Sequence, residues 1–345
     1  MRQIIKFIAY LQIIGIILVV FGHSFHEYPD GDMGKNLLIY RMMYSFRMPL
    51  FMFVSGFLMV FTTRMRASST RPAIGRFVRH KLRRLLLPFA VLTIVTFIPR
   101  ATMSELADDH LDMDFNSFYH SLLYGDSLVI PYFWFLQASF LLLVISHTVI
   151  TLGEKAGLDR VVLYLGIVIV AAALPYLPVE YTSFFAIDEA VRLGLFFALG
   201  CVYSRFHDKV DRLVAWTSPL FLPAAAIVWG ILFFITEGTP WGVLCSIAGI
   251  AMCISAARLM ERHEVTMLDH LIGANYMIFL LSWYCNVASQ QILHHLVELP
   301  WWCYTMLSLI SGIYIPWLGY RYIQGHPDSR WVRVTALLLG QSFKK

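Results

Sequence analysis

The feature that most constrains this chain is the recurrence of apolar stretches close to the length that crosses a bilayer. A helix needs about 20 predominantly apolar residues to span the hydrocarbon core, and about ten segments qualify. They are residues 4–24, 39–62, 82–99, 132–151, 160–176, 186–204, 216–236, 240–259, 272–292 and 301–323. With 58% hydrophobic and 14% charged residues, against about 25% charged in soluble domains, the chain leaves no room for a soluble fold. The expected architecture is an all-α integral membrane protein, read as one domain over 1–345. Its ordered core runs over about 1–323, with 324–345 as a cytoplasmic tail. The fifth segment ends in LPYLP and only EGTP separates the seventh from the eighth, so a re-entrant hairpin is an alternative to full crossing at these places.

The first apolar run is long, lacks a small-residue cleavage pattern and precedes further spans, so it is expected to stay as the first helix. Cys201, Cys245, Cys253, Cys285 and Cys303 lie in or beside apolar runs with no CxxC pair; they read as small core residues, and no metal is expected. The net charge of +5 does not mark a nucleic-acid binder, because the charge is concentrated between spans. With both termini cytoplasmic, 22 of the 27 Lys and Arg residues fall on the inner side, as the positive-inside rule requires. Lys35, Arg41, Arg47, Arg100 and Arg192 are the others. The longest outer loop is acidic instead, carrying Glu105, Asp108, Asp109, Asp112, Asp114 and Asp126 without Lys or Arg. A solvated cap and a substrate-facing surface are both open for it.

Chemistry concentrates first at GHSFHE, residues 22–27, directly after the run IIGIILVVF. On a helix, His23, His26 and Glu27 share one face. A carboxylate one turn from an imidazole can hold its tautomer and support the imidazolium formed on proton uptake, which is a general-base arrangement. A polar helix end at the headgroups needs no chemistry, and paired histidines with a carboxylate can also bind zinc, though the spacing matches no zinc signature. Arg47, within YSFRMPLFMFVSGFL, is a charge in an apolar span and marks function by default; Glu27 or an outer-loop acid is its expected partner. The inner segment from Arg64 to Arg84 holds eight Lys or Arg and no acid. It suits an anionic-lipid anchor or a phosphate grip, with Arg76 and Arg79, and Lys81 and Arg84, each three apart on one helix face. Trp134 and Gln137, also three apart, make a candidate sugar platform or an interfacial belt. Glu189 and Arg192 would most simply neutralise each other.

Several of these pieces resemble acyltransferase family 3, the polytopic membrane O-acyltransferases, and especially fucose O-acetylase-like members. The carrying residues are IIGIILVVFGHS (13–24), FRMPLFMFVSGFL (46–58), KLRRLLLPF (81–89), YFWFLQASF (132–140) and, more loosely, GANYMIFLLSWYCN (273–286). The resemblance implies a multi-pass enzyme of the bacterial inner membrane. It would move an acyl group, usually acetyl, from cytoplasmic acetyl-CoA to a hydroxyl of a sugar in a surface glycan or lipid-linked precursor. Membrane lipids are its other partners, and a homo-oligomer is left open. By motif, His23 corresponds to the essential histidine of the first helix, and Lys81 and Arg84 to the basic pair near CoA. Three positions depart from the pattern: Gln12 stands where a basic residue is common, Lys81 replaces Arg, and Ser282 or Trp283 stands where a histidine is expected in the ninth span. On this reading the catalytic residues are His23, Glu27 and Arg47; Arg76, Arg79, Lys81 and Arg84 bind the donor; Trp134 and Gln137 meet the acceptor. The pantetheine arm is shorter than the roughly 30 Å core, so either a cavity lets it climb toward His23 or a nucleophile such as Ser24 or Ser55 relays the acyl group. A lipid-linked-sugar flippase is the alternative from another class.

Overall fold

The computed structural model describes residues 2–25, 37–66, 73–102 and 114–343, and within them it is almost entirely helical. Each of the expected apolar segments contains a helix: α1 Arg2–Ser24, α2 Leu38–Arg66, α3 Ile74–Lys81 leading into α4 Leu87–Thr102, α5 Phe115–Leu123, α6 Trp134–Lys155, α7 Arg160–Ala173, α8 Ile187–Leu213, α9 Phe221–Thr236, α10 Gly242–Arg262, α11 Asn275–Leu296, α12 Trp301–Gly325 and α13 Arg330–Leu338. Among the described residues, five helical stretches are long and apolar enough to cross a membrane: Lys6–Ser24, Leu38–Thr63, Ile74–Thr102, Pro131–Lys155 and Gly242–Arg262. The protein is therefore polytopic. α7 and α9 are shorter but apolar. They expose Val162, Ile169, Ile227, Ile231 and Phe234, as helices do when their outer faces meet lipid tails.

Two expectations about element limits change. The basic stretch beginning at Gly75 is continuous with the third span: α3 runs into α4 through a π-helical turn, Leu82–Leu86, so the helix starts at Ile74 and not at residue 82. Arg and Lys are good helix formers, and no proline falls between Ile74 and Leu87 to stop the helix. The segment expected to be a tail carries α13, with Val332 and Ala336 buried.

The chain divides into two compact units, Met1–Val54 with His207–His326 and Ser55–Phe206 with Pro327–Lys345. In the first, α1 packs against α10, α11 and α12, and Phe7, Tyr10, Leu11, Ile13 and Ile16 are fully buried. That central position is what brings the polar end of α1 inside the helix packing. At the other end of α1, the Phe7 ring lies 3.9 Å from the Arg258 guanidinium, which is ion-paired with Asp211, and the Tyr10 hydroxyl donates to Asp269 at 2.8 Å. Arg41 and Glu237 form a two-pronged pair at 2.6 and 2.9 Å.

In the second unit, α2 and α8 meet backbone to backbone. A Cβ on Gly56 would overlap the Phe197 carbonyl oxygen and come within 3.2 Å of the Cys201 nitrogen, and the Cys201 thiol reaches the Gly56 carbonyl at 3.4 Å. Small residues serve this purpose in membranes, where close packing replaces the hydrophobic effect. Asp114 caps α5, accepting the Ser117 N–H at 2.6 Å, and this bond holds its carboxyl below the usual carboxylate range. The end of α5 is tied to the approach to α8 by Gly125 N–H to Ser183 (2.8 Å) and Phe185 N–H to Leu123 (2.6 Å). There Phe185 and Ala186 take left-handed φ values of 54° and 51°.

Gly56→Leu is expected to destabilise the detergent-solubilised protein by at least the ~1–3 kcal/mol typical of overpacking, read as a lowered thermal midpoint. Gly166→Ala, inside α7 with nothing within 4 Å of the added carbon, is not expected to lower it.

Candidate active site

The site around His23 is built where α1 stops. Helix α1 ends at Ser24, with Phe25 outside it. His26 and Glu27 lie outside the described residues. His23 is half-buried in the last turn. Arg47, from α2, is 5% exposed, and its guanidinium lies against Gly22: a Cβ there would overlap Nη1. The absence of a side chain at position 22 is what lets this charge rest on α1 beside the histidine.

The guanidinium carbon sits 4.5 Å from the centre of the Tyr44 ring and 5.5 Å from that of Tyr40. These faces attract a cation that burial has stripped of water. Arg47 is also within electrostatic range of the His23 imidazole, and among the described residues its buried Nε–H has no hydrogen-bond acceptor. Tyr40 continues into an aromatic group through Phe25 (5.5 Å), which stacks on Trp301 at 6.5 Å.

Behind His23 lies a polar cluster that the motif reading missed. Ser24, Asn286 and Ser308 are essentially inaccessible and Gln290 is nearly so. The Gln290 amide donates to the Ser24 carbonyl at 3.0 Å and to the Ser308 hydroxyl at 3.1 Å. The Asn286 amide nitrogen is assigned toward the carbonyls of Ser282 (3.1 Å) and Ser308 (2.8 Å), which turns its oxygen to Ser24 Oγ at 3.5 Å. The Ser24 hydroxyl donates to the Val20 carbonyl at 2.8 Å, so a buried, committed hydroxyl stands where the relay reading wanted a nucleophile. Ser55 is half-buried. A signal for this cluster was present in the sequence: Ser282, Asn286 and Gln290 recur every four residues through an otherwise apolar span, and polar stripes inside membrane helices are functional by default.

The basic residues form a separate group in the second unit. Arg76, Arg79 and Arg84 are exposed, whereas Lys81 is half-buried, its ammonium 5.3 Å from the centre of the Phe77 ring. Phe77 in turn stacks on His147 of α6 at 3.9 Å and 12°. Lys81 and Arg84 thus differ in setting, although three-residue spacing had suggested one face; Lys81 ends α3 and Arg84 lies within the π-helical turn. Exposed guanidiniums suit diphosphate oxygens, each able to bond two at once.

Trp134, at the first turn of α6, is half-buried. Gln137 is fully buried and donates to the Leu122 carbonyl at 3.0 Å, while its oxygen has no partner among the described residues. It ties α6 to α5 and offers no exposed amide to a sugar, so the expected platform loses one half. Glu189 and Arg192 are paired, as anticipated.

Comparison with known proteins agrees with the motif resemblance. Searches of curated proteins and of solved structures return no significant match. A family model described as an acyltransferase domain matches residues 5–321, nearly the whole chain, and the chain therefore belongs to acyltransferase family 3.

Proposed function

We propose that the protein is an O-acetyltransferase of the bacterial inner membrane. It takes acetyl from cytoplasmic acetyl-CoA and delivers it to a hydroxyl of a sugar in a surface glycan or its lipid-linked precursor. Its helices make about ten crossings with both termini cytoplasmic. The observation that carries this reading is the placement of Arg47 on Gly22, beside His23 at the end of α1. Acyl transfer from a thioester needs a base for the attacking hydroxyl and a donor for the oxyanion that forms, and a neighbouring imidazole and guanidinium can divide those tasks. Since the family is an acyltransferase family, the flippase alternative is set aside.

In this mechanism His23 takes the proton of the sugar hydroxyl as its oxygen bonds to the thioester carbon. The carbonyl oxygen gains the negative charge and accepts a hydrogen bond from Arg47. Collapse of the intermediate breaks the C–S bond, and the departing thiolate of CoA takes the proton back from His23, leaving the enzyme unchanged. Glu27 supports the imidazolium. Arg76, Arg79, Lys81 and Arg84 hold the donor's phosphates, and Trp134 contacts the acceptor. The buried, bonded Ser24 favours direct transfer over a relay through that serine.

Thiol release from acetyl-CoA in native inverted membrane vesicles, which carry their own acceptor, tests these roles. His23→Ala is expected to lower the rate by about 10²–10⁴-fold with normal insertion; wild-type activity would remove the base from the mechanism. Gly22→Ala, which displaces the guanidinium without touching either reacting group's identity, is expected to lower kcat by up to about 10²–10³-fold, the range for loss of an oxyanion donor. Replacing Arg76, Arg79, Lys81 and Arg84 together by Gln should weaken acetyl-CoA binding, and unchanged binding would assign the segment to lipid.

A further inference from the structure

We infer that Gln290 is a positioning residue for the reaction: its amide caps the last turn of α1 and thereby fixes where His23 stands. The last four carbonyls of any helix have no partner within it, and in a membrane interior an unsatisfied carbonyl costs several kcal/mol, because no water replaces the missing donor. At the end of α1 the Ser24 carbonyl is served by Gln290 Nε2 at 3.0 Å, and the same nitrogen reaches Ser308 Oγ at 3.1 Å. Both N–H bonds of that amide are thus engaged, one to α1 and one to α12.

Two chemical details separate this from ordinary packing. The bond ends on the backbone of the residue next to His23, so it constrains the helix axis and rotation at the histidine, which a side-chain contact elsewhere on α1 would not. The remaining members close the cluster: Asn286 bonds the Ser282 and Ser308 carbonyls, and the Ser24 hydroxyl bonds Val20 one turn back. α1 is therefore held at its final turn by α11, whose Gln290 and Asn286 are in turn bonded to α12. A hydrogen-bonded network buried among helices resists displacement, and catalytic bases need such rigidity, since a displacement of about 1 Å can lower a rate by about 10²-fold.

The inference rests on His23 as the base, and the test separates the two. Gln290→Met keeps length and apolar volume but removes both N–H donors; Gln290→His restores one. In the vesicle assay with acetyl-CoA, Gln290→Met is expected to lower kcat by about ten- to hundredfold. Its thermal midpoint in detergent should fall, as the loss of a carbonyl's donor requires, while its KM for acetyl-CoA stays near wild type with kcat counted per folded protein, and Gln290→His should recover part of the rate. A Gln290→Met enzyme with wild-type kcat would overturn the inference, as would a loss matched by an equal loss of folded protein or of acetyl-CoA affinity. A fully active His23→Ala enzyme would instead sink the base assignment, whatever Gln290 does; an inactive His23→Ala beside an active Gln290→Met sinks the positioning role alone.

Discussion

Inside a bilayer, every peptide group must find its partner within the protein, and that requirement governs the first unit of this structure. A helix that ends among other helices needs a donor brought to its terminal carbonyls from outside itself. α1 obtains one from Gln290, and its end is therefore a place where polar residues are tolerated, fixed and close together. The imidazole of His23 and the guanidinium of Arg47 stand in this small polar region, surrounded by aromatic rings and apolar helix faces.

The same residue type serves two purposes under two dielectric regimes. Arg76, Arg79 and Arg84 are exposed, where each charge attracts anions with the modest, salt-screened strength of surface electrostatics. They suit a soluble, multiply charged donor that must arrive and leave. Arg47 is buried against Tyr44 and Gly22, where a charge interacts far more strongly with a nearby partner. A guanidinium so placed suits a charge that exists only briefly, as an oxyanion does.

Much of this was legible from residues alone. Apolar length located a helix in every expected segment, and GHS together with FRMP singled out the residues that the fold brings together at the end of α1. What escaped reading did so for physical reasons. The donor to the Ser24 carbonyl escaped because it stands more than 260 positions away in the chain. The third span was read as starting at residue 82 because the basic turns before it are not apolar, although Lys and Arg extend helices readily. Gln137 matched an exposed pattern by its neighbours yet is sealed between α5 and α6. Asn286 and Gln290 carry no motif of their own; their meaning comes from the helices they touch.

The π-helical turn at Leu82–Leu86 joins a cationic amphipathic helix to an apolar one. Its bonds skip one residue more than those of an α-helix, so it acts as an inserted residue absorbed without breaking the rod. Excising a single residue there would restore unbroken α-helical geometry and swing everything upstream, Arg76 and Arg79 included, by about 100° around the axis. The phase between the basic helix and the apolar stem is thus stored in one irregular turn, and the chain's tolerance of length changes is expected to be lowest at that point.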